Sequence, residues 1–288
     1  MKRDPDYRDG AGLAFKNRAR SQSLARGLAV LEAFNPDAPE LGVRELGRRL
    51  GLDKSIVHRL VRTLVESSFL EQNPETLRYR VGPRAFEVGQ NYVVATGLAE
   101  AALPVVHPLA ERSEINVYVG VRRGPAVVYL LAVQSSGPIV IRARPGSLAR
   151  LHSTALGKVV LAFHPDPAAL LGSGPLTRLT PATITDPAVV LAQLPAIRRQ
   201  GHAVSDEENL PGVWAVGAPV RDRSGQVIAA VSGACPRYQL TEARAAEIVE
   251  AVRQAGAMIS RSLGAAAPFP VIAKPRTLTR RRREDSAC

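Results

Sequence analysis

The sequence predicts an α+β chain of two domains joined by a helix. Three observations carry that prediction. Residues 41–84 hold two short amphipathic helices around a glycine, followed by a hairpin pattern. Residues 104–264 alternate strand-like and helix-like periods. Residues 85–103 keep a mostly helical period between the two. A length of 288 residues suits about two domains.

Residues 1–20 are polar and charged, have no apolar period, and read as a disordered basic arm. The first domain is placed at 21–84. Ser23 caps a helix running to Phe34, with Leu24, Leu28, Leu31 and Phe34 turned inward. Prolines at 36 and 39 end it. Val43, Leu46 and Leu50 then repeat at helical spacing, and Gly51-Leu52 breaks the helix, Gly suiting the tight turn between crossing helices. Asp53 is placed as the N-cap of the next helix. Val57, Leu60, Val61 and Leu64 mark its inner face, and Ser55, His58, Arg59 and Arg62 its outer one. Residues 69–72 form a strand, Asn73-Pro74-Glu75-Thr76 a turn, and 77–81 a return strand carrying Arg78 and Arg80 on one face.

This layout is a winged helix-turn-helix, whose second helix enters the major groove of DNA. Ser55, His58, Arg59 and Arg62 are the candidate contacts to base edges and nearby phosphates, because that face is hydrophilic at the depth the groove allows. Lys54 lies at the helix start, where free N–H groups also favour phosphate. Arg78 and Arg80 on the wing are candidate phosphate contacts that set register without reading sequence. A plain helical bundle with a solvated charged face is the alternative; charge combined with turn and wing favours the DNA reader.

The linker over 85–103 repeats Phe86, Val88, Val93 and Leu98, and Gly89 and Gly97 let it bend. Its apolar residues need a neighbour, either a second copy of the helix or the domain that follows. That domain, 104–264, reads as strands over 116–121 and 126–133 around Arg122-Arg123-Gly124-Pro125, and a third strand over 139–144. Helices follow over 154–163, with Ser153 near the cap, and over 188–200. Two strands, 213–220 and 227–233, flank Arg221-Asp222-Arg223-Ser224-Gly225, and an amphipathic helix over 242–263 closes the domain. Residues 265–288 read as a flexible basic tail with Arg280-Arg281-Arg282-Arg283.

The formal net charge of +12 fits an anionic partner, although part of it lies in the arm and tail. The two cysteines, Cys235 and Cys288, give no disulfide framework and no zinc spacing. No run approaches the roughly 20 apolar residues of a membrane span, so the expectation is a cytoplasmic, nucleoid-associated bacterial protein with no membrane partner.

From the first helix through the closing one, about residues 22–264, the chain resembles the IclR family of bacterial transcriptional regulators. The resemblance rests on ordered motifs: Ser23-Leu24-Ala25-Arg26-Gly27-Leu28-Ala29-Val30-Leu31, residues 52–60 through the recognition helix, and Tyr79-Arg80-Val81-Gly82 in the wing. In the second domain they are residues 151–158, 179–186, Asp206-Glu207-Glu208, and Ala218-Pro219-Val220-Arg221-Asp222 with Gly225. The resemblance implies a GAF-like effector-binding domain behind the winged helix. It implies homodimers or dimers of dimers on palindromic operators, answering to a small organic acid or aromatic compound.

It also places the effector at Ala155, Leu156, Ser205, Val213, Ala215, Ser232 and Ala234. A helix start offers N–H groups and a positive dipole end to a carboxylate. Members that take very small keto acids carry more polar side chains here, including an acid, a cysteine and paired serines. This chain has Ser205, Ala215 and one serine of the pair. Few polar groups discriminate a small polar acid poorly, and an apolar wall gains about 25 cal/mol per Å² from burying rings or alkyl chains. The expected effector is a mainly apolar or aromatic carboxylate.

Other chemistry finds little support. Gly157-Lys158 resembles a phosphate loop, but position 152 is His and Val159 stands where Ser or Thr belongs. Cys235 with His152 as base sits in no nucleophile motif, and buried cysteine is more often a small hydrophobe. His107, His152, His164 and His202 lack metal spacing. Asp206-Glu207-Glu208 reads as a solvated turn or a dimer salt-bridge surface rather than a carboxylate pair for catalysis. Trp214 alternates away from Val213 and Ala215 and belongs on the opposite sheet face. The expectation is a DNA-binding regulator without cofactor or metal, not an enzyme. The alternatives are a ligand-independent architectural DNA-binding protein and an enzyme built on the second domain.

Overall fold

The computed structural model describes residues 21–35, 37–135 and 143–265. The arm and the tail lie outside them, and so does most of the strand expected over 139–144.

In the first domain, α1 (Gln22–Glu32) is capped by Ser21, not Ser23: the Ser21 hydroxyl accepts the Leu24 N–H at 3.3 Å. The inward face also differs from expectation. Val30 is fully buried, Leu31 and Phe34 pack beside it, but Leu24 and Leu28 stand 63% and 53% exposed. The helix meets the core through its C-terminal half, so its first two turns project beyond it. Helices α2 (Val43–Leu50) and α3 (Lys54–Glu66) cross at Gly51, whose φ of +63° supplies the left-handed cap. Asp53 occupies the N-cap of α3 with extended backbone, though its side chain makes no capping bond. Leu41, Leu46, Val57, Val61, Leu70 and Tyr79 form the core with Val30. Strands β1 (Leu70–Gln72) and β2 (Tyr79–Val81) are the antiparallel wing, with Glu71 opposite Arg80.

The helix expected over 85–103 is two helices. α4 (Pro83–Thr96) ends at Gly97, which sits at φ +59°, and α5 (Leu98–Ser113) leaves at 80° to it. α5 runs through Pro104 and Pro108, so position 104 is the inside of a helix and not a domain edge. α5 buries Leu98, Ala102, Val106 and Leu109 against the second domain, whereas α4 buries nothing and leaves Phe86 68% and Val94 77% exposed. Among the described residues no single helix is long and apolar enough to cross a membrane.

The second domain is built on a fully antiparallel six-stranded sheet ordered β5-β4-β3-β8-β7-β6. The strands are β3 (Asn116–Arg123), β4 (Ala126–Val133), β5 (Leu148–Arg150), β6 (Ala203–Asp206), β7 (Val213–Arg221) and β8 (Val227–Pro236). One face packs on α5 and α9 (Glu242–Ser262), around Val117, Val119, Trp214, Val216, Val231 and Ile259. The other packs on α6 (Ala155–Ala162), α7 (Pro167–Leu171) and α8 (Pro187–Gln200), around Leu156, Val159, Leu194 and Ile197. The alternation along β7 sends Trp214 to the α9 face, as read from the sequence. β5, β6 and α7, of three to five residues each, are elements the sequence reading did not find.

Candidate nucleic-acid interface and ligand pocket

The inner face of α3 is fixed by Val57 and Val61, so its outer face is forced outward. Lys54, Ser55, His58, Arg59 and Arg62 are all exposed there. Arg62 is held by Glu66 one turn on at 2.9 Å, with both side chains well exposed, a pairing weak enough to be exchanged for a phosphate. The wing departs from expectation at Arg78. That residue precedes β2, and its guanidinium donates to Glu45 Oε2 at 2.9 Å and to the Glu40 carbonyl at 2.8 Å. It fastens the wing to the start of α2. Arg80 is the outward wing cation, paired across the strands with Glu71 at 2.9 Å.

In the second domain, the start of α6 is seated on the sheet over Gly217. A Cβ there would lie 2.9 Å from the Ala155 carbonyl oxygen. Thr154 caps the helix, accepting the Gly157 N–H at 3.1 Å and donating to the Arg150 carbonyl at 2.6 Å. The Ala155 and Leu156 N–H groups therefore open the helix without a partner inside it. Under them the register sets Ser205, Ala215 and Ala234 in one row, and Gly217, Ser232 and Tyr118 in another.

The seven residues expected at the effector site, Ala155, Leu156, Ser205, Val213, Ala215, Ser232 and Ala234, all line one cavity of about 60 Å³. Its wall also includes Tyr118, Tyr129, Ala143, Thr154, Asn209 and Leu210. Tyr118 and Tyr129 stack edge to face, centroids 5.3 Å apart and planes at 61°. Burial, with the neighbouring Tyr129, pushes the Tyr118 phenol far above its ordinary range and keeps it protonated. Ser205 donates to the Ser153 carbonyl at 2.7 Å. Ser232 is buried, and its hydroxyl makes no hydrogen bond among the described residues. The wall thus offers helix-start N–H groups and one unspent hydroxyl at one end, rings and aliphatic groups elsewhere, and no acid–base pair. The chemistry of that wall is complementary to an anionic group on an apolar body.

A larger open cleft of about 480 Å³ lies between the end of α5 and the start of α9, walled by Arg112, Glu114, Arg244 and Glu247. Its charged walls are exposed apart from the half-buried Arg244, and none of the expected site residues reaches it. Size alone does not make it the better candidate, because discrimination needs desolvated polar groups.

The remaining candidates are placed apart. Cys235 is buried beside Trp214 under α9, where desolvation raises its thiol pKa and keeps it unreactive. His152 lies across the sheet, buried, its Nε2 3.0 Å from the Thr177 carbonyl, and burial lowers its pKa. Asp206-Glu207-Glu208 is not a solvated turn. Asp206 pairs with Arg237 at 2.9 Å, Glu207 Oε1 accepts the Gly212 N–H at 2.6 Å, and Glu208 is buried on Lys158. No group of three or more His, Cys, Asp or Glu among the described residues is placed to hold a metal.

A winged helix-turn-helix carried on a pocketed α+β domain defines a DNA-binding transcription regulator. Two family models match, the IclR helix-turn-helix domain over residues 23–74 and the IclR C-terminal domain of bacterial transcriptional regulators over 90–261. The HTH-type transcriptional regulator XynR of Escherichia coli (strain K12) is 33% identical over 245 residues, 84% of this chain and 97% of that protein. A solved IclR regulator from Silicibacter sp. TM1040 superposes with a TM-score of 0.79 at 29% identity, covering 86% of this chain and 99% of its own. An IclR homologue from Microbacterium hydrocarbonoxydans, solved with 4-hydroxybenzoate, gives 0.73 at 28% identity, covering 84% and 98%. The chain belongs to the IclR family. Its relatives are named as regulators, in keeping with a protein that is not an enzyme.

Proposed function

We propose that operator binding by this regulator is set by a small, largely apolar or aromatic carboxylate bound between α6 and the sheet. The observation that carries the reading is the cavity wall. The N–H groups of Ala155 and Leu156, which have no acceptor inside the helix, and the Ser232 hydroxyl, which makes no hydrogen bond among the described residues, suit a carboxylate. Tyr118, Tyr129, Leu210 and Val213 suit a ring or branched chain. The relative solved with 4-hydroxybenzoate supports the same class.

Ser55, His58, Arg59 and Arg62 contact bases and adjacent phosphates, and Lys54 and Arg80 contact phosphate. Arg78 acts on DNA through the wing it anchors. Residues 21–84 form the DNA-binding unit. The exposed apolar groups of α1 and α4, Leu24, Leu28, Phe86 and Val94, support self-association as a dimer or dimer of dimers on a palindromic operator. The site of action is the bacterial cytoplasm, at the nucleoid.

The test is calorimetric titration of the full chain with benzoate, 4-hydroxybenzoate and phenylacetate against glyoxylate and pyruvate, followed by operator titration with and without each. An aromatic acid should bind and change operator affinity. Tight binding of a two- or three-carbon acid alone would overturn the ligand class, and an operator affinity that no acid changes would favour an architectural protein.

A further inference from the structure

A cavity of about 60 Å³ is far smaller than the roughly 300–1,000 Å³ of ordinary ligand sites. An aromatic acid enters only if part of the wall moves. The sheet and α6 are held by regular hydrogen bonding and by the close seat at Gly217. The stretch from Glu207 to Gly212 is different. It connects β6 to β7 and hangs Asn209 and Leu210 over the cavity, both otherwise exposed. Its two ends lie in the left-handed region, Glu207 at φ +56° and Gly212 at φ +74°. For Glu207, which has a Cβ, that conformation is strained and persists only because its surroundings hold it.

Backbone bonds fix its ends, Glu207 N–H to the Val213 carbonyl at 2.9 Å and Arg237 N–H to the Gly212 carbonyl at 2.7 Å, and a set of side-chain ties holds what lies between. Lys158, 2% exposed on α6, donates from Nζ to Glu208 Oε1 and, at 3.2 Å, to the Val204 carbonyl. Thr180 and Thr183 donate their hydroxyls to the Glu207 and Glu208 carbonyls at 2.7 and 2.6 Å. The Ser153 hydroxyl donates to Asn209 Oδ1 at 3.1 Å. The second carboxylate oxygen of Glu208 is buried without a partner among the described residues. A buried ion pair short of one hydrogen bond is held less firmly than a complete one, which lowers the cost of opening it.

We propose that residues 207–212 are a hinged lid over the effector cavity, and that Lys158 and Glu208 are the positioning pair that latches it shut. The proposal rests on the reading of that cavity as the effector site. Neither side chain lines the cavity; each acts through Asn209 and Leu210. If the latch works equally with the cavity empty and filled, weakening it raises ligand entry and escape together and leaves affinity nearly constant. A merely structural role would instead weaken affinity or loosen the whole domain.

The experiment compares wild type, Glu208→Gln and Thr183→Val in the full chain. Amide hydrogen exchange is followed over 207–212 and over α9. Stopped-flow binding of 4-hydroxybenzoate is read from Trp214, the single tryptophan. Loss of a charged hydrogen bond in Glu208→Gln should speed lid exchange about tenfold and leave α9 unchanged. Association and dissociation rates should both rise about tenfold, with Kd within about threefold of wild type. Thr183→Val, which removes the tie to the Glu208 carbonyl together with the Leu179 and Thr180 N–H bonds its Oγ1 accepts, should shift the same readouts the same way by about threefold or more, and it carries the test if Glu208→Gln does not fold. Unchanged lid exchange in both variants, or acceleration shared equally by α9, overturns the latch. If wild type takes up no aromatic acid, the effector reading fails, and lid exchange alone decides the latch.

Discussion

Arg59 is exposed on the outward face of α3 and has no ion-pair partner among the described residues, so its guanidinium is free for a base edge. Lys54 sits one position past the N-cap of the same helix, nearer the backbone of any DNA the helix enters. The two should fail differently. Arg59→Ala should cut affinity for the mapped operator by roughly tenfold or more and relax preference at one base pair, because a bidentate guanidinium contact is lost. Lys54→Ala should weaken operator and random DNA alike and reduce the slope of log affinity against log salt by about one. Titrations at three or more salt concentrations separate the two; equal losses on operator and random DNA in Arg59→Ala would place it on phosphate instead. The exposure of both residues was legible because the outward face of α3 follows from apolar period alone. Arg78 was not legible. Its partners Glu40 and Glu45 are more than thirty residues away in the chain, and no local pattern announces a contact of that range.

At the scale of elements, the proposed effector site depends on how closely α6 can approach the sheet. Gly217 is where they meet, and an added Cβ would stand 2.9 Å from one backbone carbonyl oxygen and 3.3 Å from the Leu156 nitrogen. Backbone cannot swing aside as a side-chain end can. Gly217→Ala should therefore lift the helix start, cost about 1–3 kcal/mol in a denaturant melt, and weaken carboxylate binding more than it changes operator affinity without ligand. Carboxylate affinity equal to wild type would show that the helix start is not part of the site. The long elements on both sides of this contact were readable. α8 and α9 carry side-chain N-caps, Asp186 and Thr241, and β7 alternates except around Gly217. β5 and β6 were not, since three or four residues at a sheet edge carry too little alternation to stand out. The cavity's tyrosines escaped for a related reason. Tyr118 and Tyr129 lie on strands that the sequence shows, but they face Ser232 and the α6 start only through cross-strand register, and register is a property of pairs of strands.

At the scale of the molecule, two domains are joined by the turn at Gly97 and touch again where Glu32, at the end of α1, meets Arg123 at the tip of the β3–β4 hairpin, 2.6 Å apart. That hairpin also carries Tyr118 and Tyr129 to the wall of the candidate effector cavity, so one hydrogen-bonded element spans from that cavity to the DNA-binding domain. An effector changes operator affinity only if it favours one domain arrangement over another. An exposed ion pair is worth at most about 1 kcal/mol, enough to bias such an arrangement and too little to lock it. Arg123→Gln should leave carboxylate affinity within about twofold and shift the ratio of operator affinities with and without ligand by no more than about fivefold. Exchanging the charges, Glu32→Arg with Arg123→Glu, should bring the ratio back toward wild type, since the pair is re-formed with its sign reversed. High salt should shrink the wild-type ratio toward that of Arg123→Gln, because screening acts on an exposed pair. A ratio that neither single variant nor salt alters would assign the coupling to α4 and α5 alone.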